Sequence, residues 1–122
     1  MTQNANYFAD YRAYVAKYRG YEFRDPDDIF RELLEECNYI SGEGKDLIRQ
    51  SYEMAKHGHR DQLRKSGTPY ITHPLTVASM MLPYRPCPML LGATLLHDIL
   101  EDTDETYESV AAIHPEIANI VE

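Results

Sequence analysis

Apolar residues recur along most of this chain at intervals of three and four, with polar residues filling the positions between them. That is the spacing of helices with one buried face. The first such stretch, NANYFADYRAYVAKYRG, places Tyr7, Tyr11, Tyr14 and Tyr18 on one stripe with Phe8 and Val15 beside it, and Gly20 is a natural stop. RDPDD then reads as a turn into a new helix, with Asp25 as cap and Pro26 at its first position. Ile29, Phe30, Leu33, Leu34 and Cys37 form the apolar stripe of that helix, and SGEGKD is expected to break it. Leu47, Ile48, Tyr52 and Ala55 line the next helix, which fades into the basic, Gly- and Pro-punctuated loop HGHRDQLRKSGTPY. Pro74 is expected to open a helix carrying Leu75, Val77, Ala78, Met81 and Leu82. PYRPCP must interrupt it, because three prolines in six residues do not fit inside a helix. A helix from Met89 is expected to continue through Asp102 and to end at TDET. Tyr107 to Ile113 and a segment opened by Pro115 complete the set. Runs that alternate with period two and carry β-branched residues are almost missing, so the predicted class is all-α.

Composition narrows the reading. A length of 122 residues suits one domain with a modest core, and a hydrophobic content of 43% is that of a folded globule. The formal net charge of −8 argues against a nucleic-acid partner, which needs basic surface. It leaves room for a small anionic ligand on a local cluster of cations. No apolar run approaches the length of a membrane span, and no basic-then-apolar leader opens the chain. Cys37 and Cys87 have no metal-type spacing and read as reduced thiols of a cytoplasmic protein.

The candidate chemistry lies in LLHDILEDTDET, where His97, Asp98, Glu101 and Asp102 directly follow an apolar run. On a continuous helix these four groups share an arc of about 140°, opposite Leu95, Leu96, Ile99 and Leu100. A wet acidic face of an ordinary amphipathic helix would look the same. Two features favour a site. A neighbouring imidazole and carboxylate both ligate borderline divalent ions. A further histidine, His73, stands before Pro74 at a constrained helix start in PYITHPL. His73, His97 and Asp98 could thus hold one ion, leaving Glu101 and Asp102 for acid–base work on water. Arg60, Arg64 and Lys65 are expected to form one basic patch in an otherwise acidic chain, suited to an anionic nucleotide, although a solvated loop would show the same residues.

The combination of HRDQLRKSGTPYITHPLTVA with GATLLHDILEDTDET, its histidines His73 and His97 lying 24 positions apart, resembles the HD hydrolase domain of the RelA/SpoT alarmone enzymes. The matching region runs from about Asp25 to Glu122. The resemblance implies an all-α HD-domain helical bundle, cut short before its later helices. It implies one Mn²⁺ ion and hydrolysis of the 3′-pyrophosphate of (p)ppGpp to GDP or GTP plus pyrophosphate. By motif position, His73, His97 and Asp98 match metal ligands. Glu101 and Asp102 match the acidic pair that positions and activates water. Arg64, Lys65 and Ser66 match the segment that contacts the guanine nucleotide, with Tyr70 beside it.

Departures from the family pattern qualify these expectations. The family's fourth ligand, an aspartate in a later ADRLHNMRT-like helix, has no counterpart here, so the ion is expected to be weakly held. Asp61 stands where relatives often carry glycine, and Thr68 where they often carry an acid. Residues 1–24 are expected to form a Tyr-rich helical extension ahead of the HD region at 25–122. That extension either packs on the core through its tyrosines or serves an oligomer or partner contact. Two further readings stay open: a non-catalytic regulatory or partner-binding HD module, and an HD phosphohydrolase acting on another nucleotide.

Overall fold

The computed structural model describes Ala13 and residues 15–122. Tyr7, Phe8, Tyr11 and Tyr14, and with them most of the predicted N-terminal stripe, lie outside the described residues. The end of the stripe behaves as its pattern implies. Residues 15–18 are helical, Gly20 takes the left-handed φ of 91°, and a short 3₁₀ turn spans Tyr21–Phe23. Tyr18 is buried and its hydroxyl donates to the Ser79 carbonyl at 3.3 Å, while its ring meets Tyr21 edge-on.

Seven α-helices come after that turn among the described residues: α1 (Pro26–Glu36), α2 (Gly42–Gly58), α3 (Thr72–Met81), α4 (Pro88–Leu95), α5 (Ile99–Asp102), α6 (Tyr107–Ile113) and α7 (Pro115–Val121). No strand occurs among these residues. One isolated antiparallel bridge joins Leu63 to Pro69 across the α2–α3 loop. The class is therefore all-α. No described helix is long and apolar enough to cross a membrane.

The caps show why the helices begin where they do. The Asp25 carboxylate accepts from the Asp27 amide at 2.8 Å, with Pro26 in the first turn. The Ser41 hydroxyl accepts from the Gly44 amide at 3.2 Å, so SGEGKD starts α2 rather than merely breaking α1. The break falls instead at Cys37–Ile40, and the two glycines of the motif sit in the first turn of α2. Thr106 and Ser109 form a reciprocal capping box for α6. Helix α3 begins at Thr72, two residues earlier than expected. Pro74 lies within its first turn, where a missing amide proton is harmless, and His73 becomes a helical residue.

Helix α4 is the centre of the bundle. Leu91, Gly92, Ala93 and Leu95 are buried, and its apolar residues leave no polar face. It packs on α2, α3 and α7. The stripe of α1 delivers Ile29, Phe30, Leu33 and Cys37 to the same core, with Phe30 stacked on Tyr52 at 4.0 Å between ring centroids. Cys37 and Cys87 are unpaired, the first buried and the second exposed.

The predicted continuous helix over residues 89–102 is not what forms. It stops at Leu95, turns through 96–98, and resumes as the four-residue α5. The Leu96 amide is shared between the Gly92 and Ala93 carbonyls at 3.1 and 3.2 Å. Asp98 has φ −104° and ψ 5°, outside the helical range. Hydrophobic periodicity persists across the break because Leu96 and Ile99 are both buried, which is why the pattern read as one helix.

Candidate metal and nucleotide site

The break determines the site. Leu95, Leu96 and Ile99 anchor the segment in the core, and the turn between them lifts His97 and Asp98 off it. On a regular helix, neighbouring side chains diverge by about 100°. Here the turn brings His97 Nε2 to 2.9 Å from Asp98 Oδ2. Helix α3 supplies the third group. His73, His97 and Asp98 each present a ligand-type atom, and these atoms lie within 4.8 Å of one another. The His73 and His97 rings approach at 5.6 Å between centroids. Among the described residues no other His, Cys, Asp or Glu joins this group.

The proton arrangement suits a cation. The Thr94 carbonyl lies 2.7 Å from His97 Nδ1, so that nitrogen donates and Nε2 is the atom turned to Asp98. Nε2 lies 2.9 Å from the carboxylate oxygen, a spacing that a shared proton or a metal ion satisfies. Burial, then the neighbouring His97 and Arg64, push the pKa of His73 down, which favours the neutral imidazole a metal requires. Two imidazoles and a carboxylate, open on the remaining sides, form a donor set that fits one borderline divalent ion.

Tyr70 is more closely tied to this cluster than its neighbours in the loop. Its hydroxyl donates to Asp98 Oδ2. Burial, then the Asp98 bond and charge, hold its pKa well above the ordinary phenol value. Its ring lies 5.7 Å from that of His73 and 4.7 Å from that of His59. His59 is only 2% exposed, its Nδ1 meets Gln62 Oε1 at 2.8 Å, and its Nε2 has no hydrogen-bond partner among the described residues. Nothing in the sequence marks His59 beyond a histidine amid the charges of HGHRD.

A cleft of about 550 Å³ lies against the cluster, lined by Glu22, Gln62, Leu63, Arg64, Lys65, Ser66, Tyr70 and His73. The loop that forms most of it is closed by its own backbone, with Arg64 N donating to Thr68 O and Gly67 N to Arg64 O, each at 2.8 Å. Glu22 was also missed, and no sequence signal connects it to a loop more than forty residues away. Its Oε2 accepts from the Ser66 hydroxyl at 2.6 Å and the Thr68 hydroxyl at 3.1 Å, and lies 3.7 Å from Arg64.

The expected single basic patch is divided. Arg60 donates to the His57 carbonyl at 2.7 Å and pairs loosely with Asp61 at 3.9 Å. It lines a separate polar cavity of about 340 Å³ with His57, Gly58, Asp61 and residues 102–105. The turn after α2 points it away from Arg64 and Lys65. Asp102 faces this second cavity, and Glu101 is exposed on α5.

Comparison with known proteins places this geometry. The HD domain family profile matches residues 51–122, which include the whole cluster and its loop. The chain is 41% identical over 101 residues to the guanosine-3′,5′-bis(diphosphate) 3′-pyrophosphohydrolase of Spiroplasma citri, covering 80% of this chain and 14% of that protein. It is 46% identical over 76 residues to the Aquifex aeolicus protein of the same name, covering 62% of this chain and 11% of that one. It is 41% identical over 76 residues to the bifunctional (p)ppGpp synthase/hydrolase SpoT of Escherichia coli, again 62% and 11%. The chain therefore spans a seventh or less of these relatives' length. The matched segment contains the paired histidines, the adjacent aspartate and the helix break between α4 and α5, and the chain belongs to the HD domain family.

Proposed function

We propose that this chain carries the metal-binding part of a phosphohydrolase that removes the 3′-pyrophosphate of (p)ppGpp, releasing GDP or GTP and pyrophosphate. One observation carries the reading: His73, from a different helix, converges with His97 and Asp98 at the edge of a cleft that also contains Arg64, Lys65 and Ser66. The names of the relatives support the same substrate. His73, His97 and Asp98 would hold one ion, assigned as Mn²⁺ from the resemblance to the alarmone enzymes. Such an ion would supply Lewis acidity at the site.

The remaining roles belong to the chain. Thr94 fixes the His97 tautomer, and Tyr70 orients Asp98 through its hydrogen bond. Arg64 and Lys65 offset the charge of an anionic nucleotide, and Ser66 contributes a hydroxyl. Glu101, exposed on α5, and Asp102, which lines the second cavity, are assigned to holding water and taking its proton from the resemblance to the alarmone enzymes, with no part in ligation. The bond that breaks is the one joining the 3′ oxygen to phosphorus. Water's oxygen goes to the pyrophosphate, and one of its protons to the 3′ oxygen. A cytoplasmic setting goes with this substrate.

The test uses the intact protein with Mn²⁺ and a panel of nucleotides, scored for pyrophosphate against phosphate release. Asp98→Ala is expected to lose metal and turnover together. Glu101→Gln is expected to keep most of its metal and to lose turnover by roughly 10²–10⁴-fold. Equal metal loss in both variants would make Glu101 a ligand. Binding of nucleotide without release of either product would make the domain a non-catalytic module.

A further inference from the structure

The nucleotide cleft contains one acidic side chain, and it comes from outside the matched family region. Among the lining residues Arg64 and Lys65 are cations, His73 borders the metal cluster, and Glu22 is the single carboxylate. Resting on the nucleotide reading above, we infer that Glu22 reads the base of the substrate and selects guanine.

A carboxylate repels phosphate, so the substrate's phosphates belong at the His73 end, where a cation can neutralise them. Arg64 marks the order along the cleft. It lines the cleft together with His73 and lies 3.7 Å from Glu22. The part of a nucleotide beside Glu22 is then the base. Leu63 lines the same cleft and is 63% exposed, an apolar surface that the face of a base would cover.

The carboxylate is aimed in advance. The Ser66 and Thr68 hydroxyls both donate to Oε2, whereas Oε1 has no hydrogen bond among the described residues. The Ser66 bond, foremost, holds the pKa of Glu22 below the usual carboxylate range, so it acts purely as an acceptor at neutral pH. Guanine presents a ring N1–H beside an exocyclic N2–H₂, two adjacent donors that can both turn to the open Oε1. Adenine presents a donor beside an acceptor, and hypoxanthine lacks the exocyclic amine. Glu22 is not needed to shape the loop, which its own backbone bonds and the Leu63–Pro69 bridge already close. What it adds is an acceptor where a base edge would lie.

The experiment measures GDP, IDP and ADP binding to the intact protein in Mn²⁺ by titration calorimetry, for the unaltered chain, Glu22→Gln and Glu22→Ala. Thermal melts check that each variant folds. The unaltered protein is expected to favour GDP over IDP and ADP by roughly tenfold or more. Both variants are expected to lose that preference through weaker GDP binding, with ADP binding unchanged or stronger. Three results overturn the inference while leaving the nucleotide site intact. Tighter binding of all three nucleotides by a common factor would make Glu22 a charge brake. Weaker binding of all three, with a lowered melting temperature, would make it a support for the loop. An unchanged preference would remove it from recognition altogether. If the unaltered protein binds none of the three, the nucleotide reading fails and this inference falls with it.

Discussion

Gly58→Ala tests how closely the end of α2 packs against α5. Gly58 is the last residue of α2, and a Cβ there would stand 2.5 Å from Ile99 Cδ1 and 3.2 Å from Thr103 Cγ2. Ile99 is fully buried, so its terminal methyl has little room to rotate away. Overpacking of this kind costs about 1–3 kcal/mol. The better helix propensity of alanine returns at most about 1 kcal/mol, and less at a helix end. The net expectation is a loss of about 1–2 kcal/mol, seen as a fall in Tm of about 3–10 °C for a domain of this size. Ile99→Val deletes the atom at 2.5 Å and by itself costs about 0.5–1.5 kcal/mol. If the clash is the cause, the double variant is about as stable as Ile99→Val alone, a coupling of about 1–2 kcal/mol in its favour. Urea unfolding followed by circular dichroism on all four proteins gives the cycle. Additivity of the two changes within about 0.5 kcal/mol would refute the contact as the source of the cost. Because α5 carries Glu101 and Asp102, Gly58→Ala is also expected to lower turnover more than nucleotide affinity, and the double variant to recover it.

Tyr52→Phe removes the hydroxyl that donates to Asp27 Oδ1 at 2.7 Å. That bond first, then Lys56, lowers the pKa of Asp27 below 3.8, so its stabilisation is complete above about pH 4 and is lost as pH falls through the lowered folded-state value. The variant is expected to be less stable at neutral pH and to lose less on acidification, and identical acid limbs in parallel urea titrations would count against the bond. Arg64→Ala is expected to weaken nucleotide binding by about 1.5–3 kcal/mol, measured by calorimetry, with metal content unchanged. Full affinity with lost turnover would give Arg64 a chemical role instead. Tyr70→Phe leaves Asp98 without its hydroxyl donor and is expected to weaken Mn²⁺ binding about 10–100-fold while the fold persists, measured by metal titration.

The amphipathic stripes of α1 and α2 were legible because their period and caps are local: Asp25, Pro26 and Ser41 act on amides two or three residues away. The short α6 and α7 were legible for the same reason. The break at 96–98 was hidden because Leu96 and Ile99 stay buried on both sides of it, and periodicity reports burial, not hydrogen-bond pattern. The approach of His73 to His97 and Asp98 was expected from residue type and from the resemblance, while the tertiary packing that produces it is not written in either segment. Glu22 was invisible for a plainer reason. Its partners are set by where a 3₁₀ turn lands on a distant loop, and nothing in YEF signals that landing. Arg60 parted from Arg64 because closeness in sequence says little about direction once a turn intervenes.

The interruption between α4 and α5 also divides the site between two helices. His97 is tethered to the body of α4 through the Thr94 carbonyl, whereas Asp98 is the first residue of the cap that launches α5. Their separation is set by the turn at 96–98, which is held by Ile99 N donating to the Leu96 carbonyl at 3.0 Å and by the burial of Leu96 and Ile99. Any ion shared by these two side chains and His73 would tie α3, α4 and α5 together at one point. Glu101 and Asp102 stand on α5, so filling the site would bear on their surroundings as well as on the charge beside them.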